Sequence, residues 1–278
     1  KIKKLSLLSN CTLFNRITRN GVQSIIPYEK GLIIIIRKYI LIYKKGEIHI
    51  TYRIPRGSRP LRQGVMISNN YIVFGDYWKN RQKTPVNIYF MNAFENSNKI
   101  ILSIKNIRHI HFIKKNENNK KEIFIGSGDG DNECNIFNYN IKYNKLNRIG
   151  GGSQKWRAVS LLQKDNYLIW GSDCPYQQNY IYKYDRKEGK LYKITAIDGP
   201  AYYSTKNKNG TMFIATTIED RNKHRAIIYT SEEGNKWRKI REWEKDIWHS
   251  KLFGYGRIEF ISGQDQLEDL YINLRGLV

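Results

Sequence analysis

Cysteine is scarce in this chain: Cys11, Cys134 and Cys174 are the only three in 278 residues, with no Cys-x-x-Cys spacing. An odd, unpaired set is poor material for a disulfide framework or a zinc site, and unpaired structural thiols are the expected role. Proline is scarce too, with six residues, and no stretch has the composition of a linker. One domain covering 1–278 is therefore expected. No apolar run reaches the length that crosses a bilayer as a helix; the longest, GLIIII at Gly31–Ile36, has the length of a strand. No secretory signal is visible. Acidic residues are outnumbered, 25 against 48 Lys and Arg, for a net charge of +23. That balance favours an acidic partner such as a polyanionic glycan. A coding bias toward Lys, Asn, Ile and Tyr explains it equally well, because the lysines are scattered. The densest run, KKNENNKK at Lys114–Lys121, reads as a solvated hairpin between two apolar segments. Nucleic acid is disfavoured as a partner, since no recognition module accompanies the charge.

What is present is strand-forming. Hydrophobic residues make up 40% of the chain and aromatic residues 13%, including twenty tyrosines, enough for a substantial core of β-structure. A short apolar run ending in small residues and a carboxylate recurs. It reads IFIGSGD at Ile123–Asp129, YIVFGD at Tyr71–Asp76 and YLIWGSD at Tyr167–Asp173, with MFIATT at Met212–Thr217 and LYINLRG at Leu270–Gly276 as further variants. Spacings of roughly forty to fifty residues are those of propeller blades.

Each repeat parses as four strands separated by Gly-, Asn- or Lys-rich turns. The first runs over Gln23–Ile54, the second over Gly64–Ile104 and the third over His109–Ile149. The fourth runs over Arg157–Ile194 and the fifth over Tyr202–Trp243. The C-terminus supplies two more strands, Gly256–Ser262 and Asp269–Leu274, and the N-terminus two, around Lys4–Leu8 and Thr12–Ile17. Joined, these halves make one blade and remove an exposed sheet edge. The expectation is an all-β, six-bladed β-propeller of four-stranded blades, its ring closed by N- and C-terminal strands sharing the last blade. No long stretch shows the helical period.

Thr230, Glu232, Gly234 and Trp237, in TSEEGNKW, resemble the Asp-box, with Glu232 in place of its Asp. That box marks a hairpin turn in sialidase-like (BNR-repeat) propellers. Further segments resemble a bacterial, polysaccharide-associated group of that family. They are FGDY at Phe74–Tyr77, HIH at His109–His111, GDGDNEC at Gly128–Cys134 and GGGSQKWRAVSLL at Gly150–Leu162. WGSD at Trp170–Asp173, QNYIY at Gln178–Tyr182, GPAYYST at Gly199–Thr205 and FGYGR at Phe253–Arg257 continue the likeness. The resemblance implies a propeller and a carbohydrate-active role, in a bacterial cytoplasmic or cell-envelope setting.

Propeller geometry brings strand starts and strand ends of different blades to one channel mouth. The starts carry Arg62, His109, His111, Arg157, Tyr202, Tyr203, Tyr255 and Arg257; the ends carry Asp76, Asp129, Asp131, Asp173 and Arg275. His109 and His111 share a strand face by the two-residue period and are candidates for a general base or a metal ligand. Structural imidazoles are the bland alternative. Arg62, Arg157 and Arg257 are suited to clamp a carboxylate, or to pair with the aspartates and seal the pore. The resemblance implies the same use, since sialidases hold a carboxylate with an arginine triad. Asp76, Asp129 and Asp173 could orient sugar hydroxyls, and Trp170 could stack on a sugar ring. Of Tyr202 and Tyr203, alternation sends one to the channel and one to a sheet interface; Tyr203 is the candidate proton donor or nucleophile. No cofactor is expected; a divalent cation at the channel mouth, held by Asp76, Asp129 and Asp173, stays open as an alternative, because carboxylates gathered from separate blades have no ligand spacing that identifies one.

The expected activity is on an acidic, uronate- or sialate-containing polysaccharide. Lyase-like chemistry is preferred, with His109 or His111 as base, Tyr203 as acid and Arg157 neutralising the carboxylate. Substrate contacts are expected from Arg62, Asp76, Asp129, Trp170, Asp173, Tyr202, Tyr255 and Arg257. A non-catalytic glycan-binding or assembly module needs the same aromatic and arginine residues. A sialidase-type hydrolase would also need a Glu beside the tyrosine, and none is apparent at a strand start or end.

Overall fold

The computed structural model describes residues 22–28, 31–36, 39–55, 60–68, 71–92, 98–219 and 225–278. The apolar repeats are strands, and each sits second in an antiparallel four-stranded sheet. Blade I comprises β1 (Val22–Tyr28), β2 (Gly31–Ile36), β3 (Tyr39–Lys44) and β4 (Glu47–Arg53). Blade II comprises β5 (Val65–Ser68), β6 (Tyr71–Gly75), β7 (Val86–Asn92) and β8 (Asn98–Ile104). Blade III comprises β9 (His109–Lys115), β10 (Glu122–Gly128), β11 (Asn135–Asn140) and β12 (Lys145–Gly151). Blade IV comprises β13 (Leu162–Lys164), β14 (Tyr167–Gly171), β15 (Asn179–Asp185) and β16 (Lys190–Ile197). Blade V comprises β17 (Ala201–Lys206), β18 (Met212–Ile218), β19 (Arg225–Ser231) and β20 (Arg238–Glu244).

Five four-stranded blades are thus described where the sequence predicts six. The C-terminal hairpin, β21 (Gly256–Phe260) and β22 (Ile272–Arg275), is the sixth element. It pairs with the end of β18, the second strand of blade V, with Thr217 opposite Arg257 and Ile218 opposite Gly256. The N-terminal strands expected at 4–8 and 12–17 lie outside the described residues, as does Cys11. A single helical turn, α1 (Ser250–Phe253), sits in the β20–β21 connection. No helix among the described residues is long and apolar enough to cross a membrane.

The core lies between blades, because alternate residues of a strand face opposite neighbours. Ile123 and Ile125 of β10 pack into the layer shared with blade II, whereas Phe124 enters the layer shared with blade IV. The outer strands β8 and β20 are mostly exposed and β12 is half-exposed, so they form the solvated rim. The Lys114–Lys121 run is the β9–β10 hairpin, held where Asn116 Nδ2 donates to Glu122 Oε2 at 2.9 Å. Cys134 and Cys174 are buried free thiols, as expected of structural cysteines.

The degenerate Asp-box forms the β19–β20 turn by a different contact from the one its pattern implies. Glu232 is exposed, and the Ser231 hydroxyl accepts the Gly234 amide at 2.8 Å instead. Gly234 has φ +76°, a left-handed turn conformation, and Trp237 packs beside the blade IV–V core.

Candidate functional site

A cavity of about 750 Å³ opens where strand starts and ends from blades II to V meet the C-terminal hairpin. Its walls include Arg62, Tyr77, His111, Asp129, Arg157, Asp173, Tyr176, Tyr202, Tyr203, Glu219, Tyr255 and Arg257. Nine of the predicted site residues, including all three arginines, line this cavity, and His109 lies in the adjoining wall beside His111.

Two bulges aim side chains at this cavity. In β9, Phe112 faces Gly126 and Ile110 faces Ser127, so His111 is the extra residue. In β17, Ala201 faces Thr216 and Tyr203 faces Ala215, so Tyr202 is extra. A bulge breaks the two-residue alternation and redirects a side chain. Both Tyr202 and Tyr203 consequently line the cavity, where alternation alone predicted only one.

The wall from blade III is a buried His–His–Asp cluster. His109 Nδ1 lies 3.0 Å from the Trp78 carbonyl, and His111 Nδ1 lies 3.2 Å from the Ala158 carbonyl. A carbonyl can only accept, so each Nδ1 carries a proton and both Nε2 atoms are left to face the cluster. The two Nε2 atoms are 3.1 Å apart, and Asp129 Oδ1 lies 3.3 Å from His109 Nε2 and 3.1 Å from His111 Nε2. Burial holds His111 neutral by lowering its pKa to about 4. These rings face each other and Asp129, and both are buried. The geometry does not suit either as the freely accessible base predicted from sequence.

Arg157 ties this cluster to the next blade. Its Nη2 lies 3.2 Å from Asp129 Oδ1, and its Nε donates to Asp173 Oδ2 at 3.1 Å. Arg108 holds the other Asp129 oxygen at 3.3 Å. Burial raises the Asp173 pKa despite Arg157, and its Oδ1 is buried with no hydrogen-bond partner. Glu219, just past the end of β18, also faces the cavity. Burial, reinforced by Asp129 and opposed by Arg157, raises Glu219 to about 7. A carboxyl poised there exchanges a proton near neutrality.

The opposite wall is an arginine cluster around one buried carboxylate. Glu259 of β21 receives Arg257 Nε at 2.7 Å, Arg275 Nε at 3.0 Å and Arg62 Nη1 at 3.6 Å. Three guanidinium groups share one negative charge, so this wall carries excess positive charge. Arg62 also donates to the Phe260 carbonyl and lies 5.9 Å from the Tyr203 ring centre. Burial raises the Tyr203 phenol against the pull of Arg257, which keeps it protonated at neutral pH. Tyr255 and Tyr176, 42% and 90% exposed, form an aromatic rim.

Two predicted contacts are corrected. Asp76 is fully buried and its Oδ2 accepts the Asn87 amide at 3.1 Å, so it braces the β6–β7 connection. Trp170 is fully buried and stacks on Trp156 at 5.3 Å between blades III and IV. Neither lines the cavity. Asp131 is a brace as well, accepting Gln154 Nε2 at 2.8 Å. Glu219 and Glu259 were missed, and they overturn the expectation that no Glu stands near these strand ends. Glu219 was legible as the carboxylate following the fifth B-strand, two residues beyond the apolar run. Glu259 gave no signal, being one acidic residue within a short strand.

No family model matches the chain, and no curated protein matches it in sequence. Solved structures do match. A TolB candidate from Agrobacterium tumefaciens aligns over 93% of this chain and 91% of its own, with a TM-score of 0.60 and 11% identity. The extracellular domain of a one-component-system candidate from B. thetaiotaomicron aligns over 92% of this chain and 32% of its own, at TM-score 0.56 and 12% identity. An oligogalacturonate lyase in complex with manganese aligns over 90% of this chain and 74% of its own, at TM-score 0.55 and 8% identity. At these identities the likeness is one of fold: the chain is an all-β propeller of four-stranded blades.

Proposed function

We propose that this propeller acts on an acidic polysaccharide, as a lyase of uronate-containing chains. The carrying observation is the pairing of an arginine-rich wall, Arg62 and Arg257 over Glu259, with a near-neutral carboxyl, Glu219, across one cavity. The β18–β21 register supports their proximity: Ile218 faces Gly256, so Glu219 and Tyr255 follow on the same seam. Arg62 and Arg257 hold the uronate carboxylate, which acidifies the adjacent C5–H. Glu219 removes that proton. The C5 electron pair forms the C4=C5 double bond as the C4–O bond breaks, and the Tyr203 hydroxyl protonates the departing oxygen. Solvent then returns a proton to Tyr203 and takes one from Glu219. His109 and His111, the bases expected from sequence, give way to Glu219 in this scheme, and Arg157 orders the carboxylates around it. The cavity volume falls within the usual ligand range of about 300–1,000 Å³, and the structural neighbour described as an oligogalacturonate lyase is consistent with such chemistry on this fold.

The test is a panel of polygalacturonate, alginate, glycosaminoglycan and sialoside fragments, read by the ultraviolet absorbance of an unsaturated uronate. Product is expected from at least one uronate, and Glu219→Gln should slow it by roughly 10²–10⁴-fold. Binding without product would replace the lyase reading with a glycan-binding module. Free sialic acid as product would favour the sialidase-like alternative, which the packing of Glu259 beside Arg257 and near Tyr203 now supplies with a glutamate. Product formed at an unchanged rate by Glu219→Gln would overturn the assignment of the base.

We further infer that the ring closes as a sixth blade. Among the described residues β22 pairs only with β21, and segments 4–8 and 12–17, expected from sequence to be strands, would complete that sheet. Deleting residues 1–19 should lower the melting temperature; an unchanged melt would refute this closure.

A further inference from the structure

The His109–His111–Asp129 cluster brings three atoms of metal-ligating type within 3.1–3.3 Å of one another. Each Nδ1 faces a backbone carbonyl, which leaves both Nε2 atoms directed at each other and at Asp129. Two buried imidazole nitrogens and a half-buried carboxylate oxygen at these separations form a ready-made set of ligands for a cation. We propose that His109 Nε2, His111 Nε2 and Asp129 Oδ1 bind a divalent ion of the first transition series.

The spacing fits. Ligands at about 2.1 Å from a metal stand about 3.0 Å apart at adjacent octahedral positions and about 3.4 Å apart at tetrahedral ones. The three observed separations fall between these values. Two imidazoles and one carboxylate are the donors that manganese, iron, cobalt, nickel and zinc accept, whereas calcium and magnesium favour oxygen throughout. The surroundings fit as well. Each ligating imidazole would donate its other N–H to a carbonyl, the support that fixes ring orientation in metal sites. Gly128 leaves the space in which His111 sits: a Cβ there would lie 2.2 Å from the His111 ring. Arg108 and Arg157 orient the Asp129 carboxylate. His111 and Asp129 line the cavity, so the open coordination positions would face any ligand held there.

The site stands apart from the lyase reading, because metal uptake is measured without substrate. The full chain, stripped with a chelator, is titrated with Co²⁺ and followed by calorimetry and visible ligand-field absorption. One equivalent should bind, with absorption bands of a nitrogen- and oxygen-ligated ion. The double variant His109→Gln/His111→Gln should lose affinity by more than the roughly 10–100-fold typical of outer-shell partners, while His49→Gln, an exposed histidine on another blade, keeps it. If circular dichroism shows the double variant unfolded, X-ray absorption of the Co²⁺-loaded wild type decides instead. Scattering from two imidazoles supports the site, and its absence overturns it. Failure of the wild type to take up one equivalent, or uptake unchanged in a folded double variant, also overturns it.

Discussion

Gly128→Ala places one methyl group where the structure has none to spare. The added Cβ would stand 2.2 Å from His111 Cε1 and 2.9 Å from both ring nitrogens. Ordinary contact begins near 3.4 Å, so the ring must retreat by about 1 Å. His111 is fully enclosed, and its Nδ1 hydrogen bond to the Ala158 carbonyl is already 3.2 Å long. The retreat breaks that bond. Overpacking of a buried site costs about 1–3 kcal/mol, and a lost hydrogen bond to a buried group adds about 1 kcal/mol. A destabilisation of about 2–4 kcal/mol follows. For a chain of this size each kcal/mol lowers the melting temperature by about 2–4 °C. Gly130→Ala is the matched control two residues on, where a Cβ meets nothing nearer than 3.4 Å. Urea unfolding of the two variants beside wild type measures the difference. Gly128→Ala within about 0.5 kcal/mol of Gly130→Ala would refute the packing argument, since surface-like changes fall in that range.

Other perturbations separate the roles assigned above. Glu219 has its folded pKa raised from 4.5 to about 7, so the folded state binds more protons than the unfolded one between those values. Stability must fall as pH rises through that window; Glu219→Gln should flatten this part of the profile, as urea midpoints from pH 4.5 to 8 would show. As a general base, Glu219 also predicts a rate that rises with pH through about 7, and a rate that falls over that limb contradicts it. Trp170→Ala should cost about 3–5 kcal/mol, as for other buried aromatic residues, whereas Tyr255→Ala on the rim should leave the melt nearly unchanged and weaken glycan binding in calorimetry. Arg257→Ala should weaken a uronate oligomer more than a neutral one, because Glu259 would retain Arg62 and Arg275 but the wall would lose a charge facing the cavity.

The blade repeat was legible because every blade needs the same thing at its second strand: apolar residues on both faces. Small residues at Gly75, Gly128 and Gly171 then allow the chain to leave a crowded centre, where a Cβ would lie within 2.7 Å of a neighbour. The site was legible only to the extent that chain ends converge. Asp76 and Asp129 hold the same place in their repeats, yet one braces a hairpin and the other faces the cavity. The difference lies in their partners, the Asn87 amide in one case and the histidines and arginines of neighbouring elements in the other. Trp170 looked like a sugar platform because it precedes Gly171 and Asp173, but its partner Trp156 comes from a separate loop and seals it inside. The paired tyrosines were half legible: alternation assigned one of them, and the bulge that brings in the other is a feature of register, which no local pattern specifies.

The joint between blade V and the C-terminal hairpin runs beneath the cavity. Among the described residues two pairs, Thr217–Arg257 and Ile218–Gly256, cross it between β18 and β21, with further backbone bonds where Glu244 and Asp246 meet the last three residues. Tyr203 and Glu219 stand on one bank and Arg257 on the other. A molecule gripped by both banks would act as a clasp on the ring itself. Occupancy and ring integrity would then be thermodynamically linked, so that a bound anion resists opening of the propeller and a loosened joint releases its cargo.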